Sequence, residues 1–249
     1  MFEQFSTPML FAHRGACALA PENTIPSFEL AVSHKADAIE LDAKLSRDGH
    51  VMVIHDQTVD RTTDGTGKVM ELSLAELKKL DAGSFFGKEF AGTAIPTLDE
   101  VFEAVGKKIF VNVELTNYKS KSDELVEKVA ETVKRHKMED RVLFSSFLPV
   151  NLVKAQALLP NTPVALLCLP GLPGLLSRSA LCRHYSPGII HPYLSDVSQG
   201  YINSEHRQGR RVHVWTVNDE KDILRLKAIG ADGIFTDNPL KARSVLENK

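Results

Sequence analysis

Short apolar runs that stop abruptly at polar or ionisable residues recur along this chain, and segments of helical period follow them. Such alternation constrains the fold more than any other feature, because strands separated by helices must lie parallel with the helices outside them. Met9-Leu10-Phe11-Ala12 stops at His13-Arg14-Gly15, and a helix follows with Pro26 near its start and Phe28, Ala31 and Val32 as its apolar residues. Residues 38–45 alternate polar and apolar, the period of a strand; after the turn signal Arg47-Asp48-Gly49, residues 51–54 form another strand that stops at His55-Asp56. Further on, strands are expected at 109–115, 142–147, 164–169, 189–190, 212–217 and 233–236. Helices are expected at 98–105, 122–136, 151–158, 200–207, 220–229 and 240–248, with residues 172–185 partly helical. With the Glu40 and His55 strands counted as one paired position, there are eight β-then-α units, which favours a closed (β/α)8 TIM barrel of α/β class.

Residues 57–95 break the rhythm. They are rich in Thr, Asp and Gly, as in Arg61-Thr62-Thr63-Asp64-Gly65-Thr66-Gly67, with one short helix signal in which Ser73 and Glu76 form a capping box. The stretch reads as a small insertion within a single domain spanning residues 1–249. That length suits one barrel, and 43% apolar with 25% charged residues is ordinary for a soluble globular chain. A net charge of −2 gives no basic surface for nucleic acid. Three cysteines (Cys17, Cys168 and Cys182) in no disulfide or zinc spacing suit a reducing compartment. With no basic, apolar leader and no run of about 18 apolar residues, the expectation is a cytoplasmic protein with no stable membrane insertion. The sequence sets no oligomeric state.

Polar and ionisable residues collect where strands end: His13 and Arg14, Glu40 and Asp42, His55 and Asp56, Glu114, Trp215 and Asp237. In a barrel these ends form the active-site face. Glu40 and Asp42 are two apart in a strand and so share a face. With Glu114 they form a hard oxygen set suited to Mg²⁺ or Ca²⁺, which would relieve the repulsion of neighbouring buried acids. His13 and His55 suit proton transfer near neutral pH, and Arg14 suits bidentate binding of a phosphate. Histidine pair, arginine and hard metal together fit phosphoryl transfer. A Mg²⁺-dependent lyase would use the acids equally well but leaves Arg14 unexplained.

At these residues the chain resembles the glycerophosphodiester phosphodiesterase family, whose pattern is His-Arg, then Glu-x-Asp, then His-Asp. Here these are His13-Arg14, Glu40-Leu41-Asp42 and His55-Asp56. Further matches are Pro21-Glu22-Asn23-Thr24, Asp60-Arg61-Thr62-Thr63, Ile95-Pro96-Thr97-Leu98, Val214-Trp215-Thr216-Val217-Asn218 and Thr236-Asp237. The resemblance implies a barrel with a small insertion after His55, and Glu40, Asp42 and Glu114 as metal ligands. It also implies His13 and His55 as acid and base, with Arg14, alongside Trp215, on the substrate. The implied reaction is hydrolysis of a glycerophosphodiester to sn-glycerol 3-phosphate and an alcohol. An alternative is lysophospholipase D-type cleavage of lysophospholipids, suggested by Leu169, Leu172, Leu175 and Leu176 after the 164–169 strand and by Phe85, Phe86 and Phe90 in the insertion. One departure stands out: many members carry a lysine two residues after the third acid, and here that position is Thr116, with Lys44, Lys119 and Lys121 as the other cations available.

Overall fold

The computed structural model describes residues 8–118, 120, 123–177, 179 and 188–247. Its strands are β1 (Met9–Ala12), β2 (Ala38–Leu45), β3 (Val51–Val53), β4 (Phe110–Leu115), β5 (Val142–Ser146), β6 (Val164–Cys168), β7 (Ile189–Pro192), β8 (Arg211–Val214) and β9 (Gly233–Thr236). Eight of them run parallel and close on themselves, because β1 pairs with both β2 and β9. This is the (β/α)8 TIM barrel. β3 stays outside the ring as an antiparallel arm on the end of β2, with Ala43 opposite Val53.

The helices are α1 (Ile25–Ser33), α2 (Leu74–Leu77), α3 (Leu98–Val101), α4 (Leu125–Arg135), α5 (Pro149–Leu158), α6 (Leu172–Ser177), α7 (Gln199–Arg207), α8 (Glu220–Ala228) and α9 (Pro239–Glu247). α4 shows why they sit outside. Leu125, Val129 and Val133 are buried at four-residue spacing, and Lys134 and Arg135 lie at the C-terminus, where the helix dipole favours cations. Each such fully buried side chain contributes about 1.5–3 kcal/mol; Val129→Asp would place an unpaired charge in that seam and break it.

The two faces of β2 part as its alternation requires. Ile39, Leu41 and Ala43 join the main core between barrel and helices, which leaves Glu40, Asp42 and Lys44 on the barrel interior. A second cluster, including Met9, Phe11, Leu143 and Phe235, plugs the barrel, with Phe11 stacked on Phe235 at 4.6 Å. Gly233 is needed there, since a Cβ would lie 2.9 Å from the His213 ring. Between β3 and β4 the chain forms α2 with its Ser73/Glu76 capping box and two 3-10 turns. That stretch has its own small core, with Met52, Ile54, Val59, Val69, Leu77 and Ile95 among its members.

Most element ends shift by one or two residues from the sequence reading, and three shift for local reasons. The helix expected at 98–105 is α-helical only to Val101 and continues as a π-turn through Phe102–Gly106. The helix expected from 122 starts at Leu125, because the Asp123 carboxylate accepts from Leu125 N and from Asn117 Nδ2 and holds the preceding loop. The strand expected to run through Trp215 ends at Val214. Of the partly helical stretch 172–185, α6 accounts for the first six residues, and residues 178 and 180–185 lie outside those described. Among the described residues no helix is long and apolar enough to cross a membrane.

Candidate active site

The strand ends deliver their ionisable side chains to one cavity of about 90 Å³, whose walls include His13, Arg14, Glu40, Asp42, His55, Glu114 and Trp215. All seven sequence-selected residues are therefore together. One carboxylate oxygen from each of Glu40, Asp42 and Glu114 lies within 4.8 Å of the others. Strand register explains this, since Asp42 pairs directly with Glu114 across β2 and β4, one rung above Glu40 and Asn112.

The three acids have few partners. Glu40 Oε2 accepts the Arg14 backbone N–H (2.9 Å), Asp42 Oδ2 accepts from Asn23 Nδ2 (2.8 Å), and Glu114 Oε1 accepts the Tyr118 hydroxyl (2.6 Å). One guanidinium approaches, with Arg14 Nε 3.6 Å from Asp42 Oδ2. Burial, then the charges of Asp42 and Glu114, raise the Glu40 carboxyl well above its ordinary range. Burial and Asp42 push Glu114 up to about 8. Buried carboxylates that repel one another could hold a cation, and an all-oxygen set suits a hard divalent ion.

Arg14 takes a left-handed conformation (φ 53°) and Gly15 another (φ 84°). The turn aims the Arg14 N–H at Glu40, and a Cβ on Gly15 would lie 2.3 Å from Ser27 Oγ, so only glycine fits beneath it. Burial lowers the guanidinium pKa, but Asp42, Glu40 and Glu22 outweigh it and the net shift is upward.

Each histidine is held from behind. His13 Nδ1 lies 2.7 Å from Asp237 Oδ1, and His55 Nδ1 lies 2.6 Å from Asp56 Oδ1. Burial pulls the Asp237 carboxyl upward, yet the bond to His13 and further donors bring it down to about 2. The Arg61 bond does most to bring Asp56 to about 2. Ionised aspartates accept, so each ring carries its proton on Nδ1 and leaves Nε2 as its second site. Asp56 Oδ2 accepts from Arg61 Nε (2.7 Å), Arg61 forks onto Glu22 (2.8 Å for both bonds), and Glu22 Oε1 accepts from Arg14 Nη1 (2.8 Å). A continuous chain of charge pairs thus runs from His55 to Arg14. Asp237 is marked in the sequence by its place just after the last strand, but not as the partner of His13. Glu22 and Arg61 appear only within the quoted motifs around Pro21 and Asp60, and Tyr118 carries no signal.

The Trp215 indole donates to the His191 carbonyl (2.7 Å) and packs edge-on against Phe147 and Tyr193, walling the cavity. His191 is fully buried at the floor with neither ring nitrogen hydrogen-bonded, and burial lowers its pKa to about 3. Lys44 is also buried and donates to Thr116 Oγ1 at 2.7 Å. Burial lowers its pKa against the pull of Asp42, Glu114 and Asp56. Lys119 and Lys121 lie outside the described residues.

The sequence pattern of the glycerophosphoryl diester phosphodiesterase family matches residues 13–241, a span holding every residue of this cavity. The chain belongs to that family. Within it, the chain is 40% identical to a glycerophosphodiester phosphodiesterase of Caldanaerobacter subterraneus subsp. tengcongensis over 93% of its own length and 94% of the relative's. It is 36% identical to another of Bacillus altitudinis, over 96% of its own length and 98% of the relative's. Among solved structures of the family, an Oleispira antarctica phosphodiesterase in complex with the product sn-glycerol-3-phosphate superposes with a TM-score of 0.89 at 34% identity, with 97% of each chain covered. A glycerophosphoryl diester phosphodiesterase from Silicibacter pomeroyi, described as putative, gives 0.85 at 26% identity, covering 97% of this chain and 93% of that one. Like the curated relatives, the chain is an enzyme of this family.

Proposed function

We propose that this enzyme hydrolyses glycerophosphodiesters to sn-glycerol 3-phosphate and an alcohol, with a divalent cation held by Glu40, Asp42 and Glu114. The observation that carries the reading is the placement of that carboxylate trio in one small cavity with two histidines and an arginine. The bound ion supplies Lewis-acid stabilisation of charge on the phosphoryl oxygens. Arg14, fixed by Glu22 and Asp42, adds a second positive charge facing the phosphate. His13 and His55 move the protons: one Nε2 takes the proton from the attacking water as its oxygen bonds phosphorus. The other gives a proton to the leaving alkoxide as the P–O bond breaks. Asp237 and Asp56 keep both rings in the required tautomer and stabilise whichever imidazolium forms. Trp215 and Phe147 form an apolar wall against the carbon skeleton. The chain works as one barrel domain, with residues 57–95 as an insertion that supplies Arg61 to the network.

The test is a product assay on glycerophosphocholine, glycerophosphoethanolamine and glycerophosphoglycerol with Mg²⁺, Ca²⁺ or chelator. Release of glycerol 3-phosphate that chelator abolishes is expected; turnover untouched by chelator, or none on any diester, would contradict the reading. Exposed Leu169, Leu172, Leu175 and Leu176 follow β6 on the same face of the barrel. They favour a second reading, in which a lysophospholipid chain lies along this rim, and a lysophospholipid arm of the same assay decides it.

A further inference from the structure

The carboxylate that holds His13 from behind carries a second donor. Asp237 Oδ1 accepts from His13 Nδ1 (2.7 Å) and from the Cys17 thiol (3.2 Å). One metal-ligating atom from each of these three residues lies within 4.8 Å of the others, in a group separate from the carboxylate trio. The sheet brings the group together. His13 and Asp237 directly follow β1 and β9, whose last residues, Ala12 and Thr236, pair with each other. The turn after His13 is tied to the same place, since the Ala18 N–H donates to the Asp237 carbonyl (3.0 Å). Asn218 Nδ2 donates to Asp237 Oδ2 (2.6 Å), which leaves Oδ1 for the thiol and the ring. Cys17 is half-buried, and the side chains of His13 and Asp237 are 22% and 31% exposed, so an ion can reach them from solvent.

The donor set differs in kind from the trio. Thiolate, imidazole and carboxylate suit zinc, whereas Mg²⁺ gains nothing from sulfur. Ligand atoms around a tetrahedral zinc stand about 3.3–3.6 Å apart, so the two bonds on Oδ1 need lengthen by less than about 1 Å. Charge also balances, because a dication cancels one thiolate and one carboxylate. Burial, then Asp237, raise the Cys17 thiol above its ordinary range, so without a metal it is no nucleophile; a coordinated thiol gives up its proton. On binding, the thiol proton leaves to solvent. The ring proton moves from Nδ1 to Nε2, because Nδ1 now bonds the ion. That is the tautomer opposite to the one Asp237 holds.

We propose that His13, Cys17 and Asp237 form an inhibitory zinc site, with water as the fourth ligand. Its inhibitory effect rests on the function argued above. An imidazole metallated on Nδ1 and protonated on Nε2 can neither accept a proton there nor become the imidazolium that donates one. Cobalt(II), as a spectroscopic stand-in for zinc, is titrated into wild type, Cys17→Ser and Cys17→Ala in saturating Mg²⁺, which keeps the trio occupied. Zinc inhibition of diester hydrolysis is measured on the same three proteins. Wild type is expected to show thiolate-to-cobalt charge-transfer absorption that added zinc abolishes and that both variants lack. The zinc concentration for half-inhibition is expected to rise at least about 100-fold in both variants, beyond the range for losing an outer-shell partner. Turnover without zinc is expected to be unchanged in Cys17→Ser, whose hydroxyl replaces the thiol as a donor to Asp237. Charge-transfer absorption absent from wild type, or persisting in the variants, would overturn the proposal. Equal zinc sensitivity in all three proteins would overturn it too, since zinc would then act at the trio. Absorption lost in both variants, with no diester turned over by wild type, would instead overturn the function and leave the zinc site standing.

Discussion

The two sides of the cavity solve opposite electrostatic problems. On the β2–β4 side, Glu40, Asp42 and Glu114 are crowded together with one guanidinium nearby, and two of the three carboxyls are pushed up by burial and by each other. On the histidine side every charge has a partner: His13 with Asp237, and His55 with Asp56, Arg61, Glu22 and Arg14 in one chain. The first arrangement is incomplete without a cation, whereas the second is complete before any ligand arrives. In the proposed function the acids capture an ion, and the histidine network keeps two rings oriented.

The comparison is broken most severely by removing one of the two histidines proposed to carry protons. His13→Ala and His55→Ala are each expected to lower kcat by about 10²–10⁴-fold, with melting temperature little changed, as read by product release and thermal denaturation. Near wild-type rates in both variants would end the two-histidine mechanism. Next comes Asp237→Asn, which no longer demands the Nδ1–H tautomer of His13. A fall in kcat of about 10²–10⁴-fold is the ceiling set by mis-oriented catalytic histidines, and the effect belongs in kcat rather than in metal affinity. Glu114→Gln sharpens the contrast because its two effects oppose. It is expected to weaken metal binding by more than the roughly 10–100-fold typical of outer-shell partners, yet to raise the melting temperature of the metal-free protein by relieving repulsion. The equivalent loss of a partnered acid, Asp56→Asn, should lower it instead.

The smallest expected effect lies at the floor of the cavity. His191 has its pKa lowered from 6.5 to about 3 by burial. Below pH 6.5 the unfolded chain binds a proton that the folded protein refuses, so stability falls progressively as pH drops from 6.5 toward 3 and then levels off. His191→Phe removes that proton and is expected to flatten this part of the stability curve, as measured by denaturation midpoints across the range.

Legibility from sequence follows the same division. Glu40 and Asp42 are read from alternation within one strand, and Glu114 from its strand-end position, because local period decides which way those side chains point. The barrel itself follows from the repeated strand-then-helix pattern. Arg61 meets Glu22 across 39 residues and Asp237 meets His13 across 224. Tertiary closure brings such loops together, so motif membership is the sole signal for Glu22 and Arg61, and Asp237 is read from its place after the last strand but not as the partner of His13. Tyr118 reaches Glu114 from a loop with no periodicity at all. The short strand before Trp215 and the π-turn after Val101 likewise depend on tertiary packing rather than on local preference.

Calorimetric titration of Mg²⁺ and Ca²⁺ into the metal-free protein tests the central claim most directly, with Glu40→Gln, Asp42→Asn and Glu114→Gln alongside. One site per chain is expected, with protons released on binding because the raised carboxyls must ionise, and with affinity lost in all three variants. Binding that survives all three substitutions, or no binding of either ion to the wild type, would contradict it.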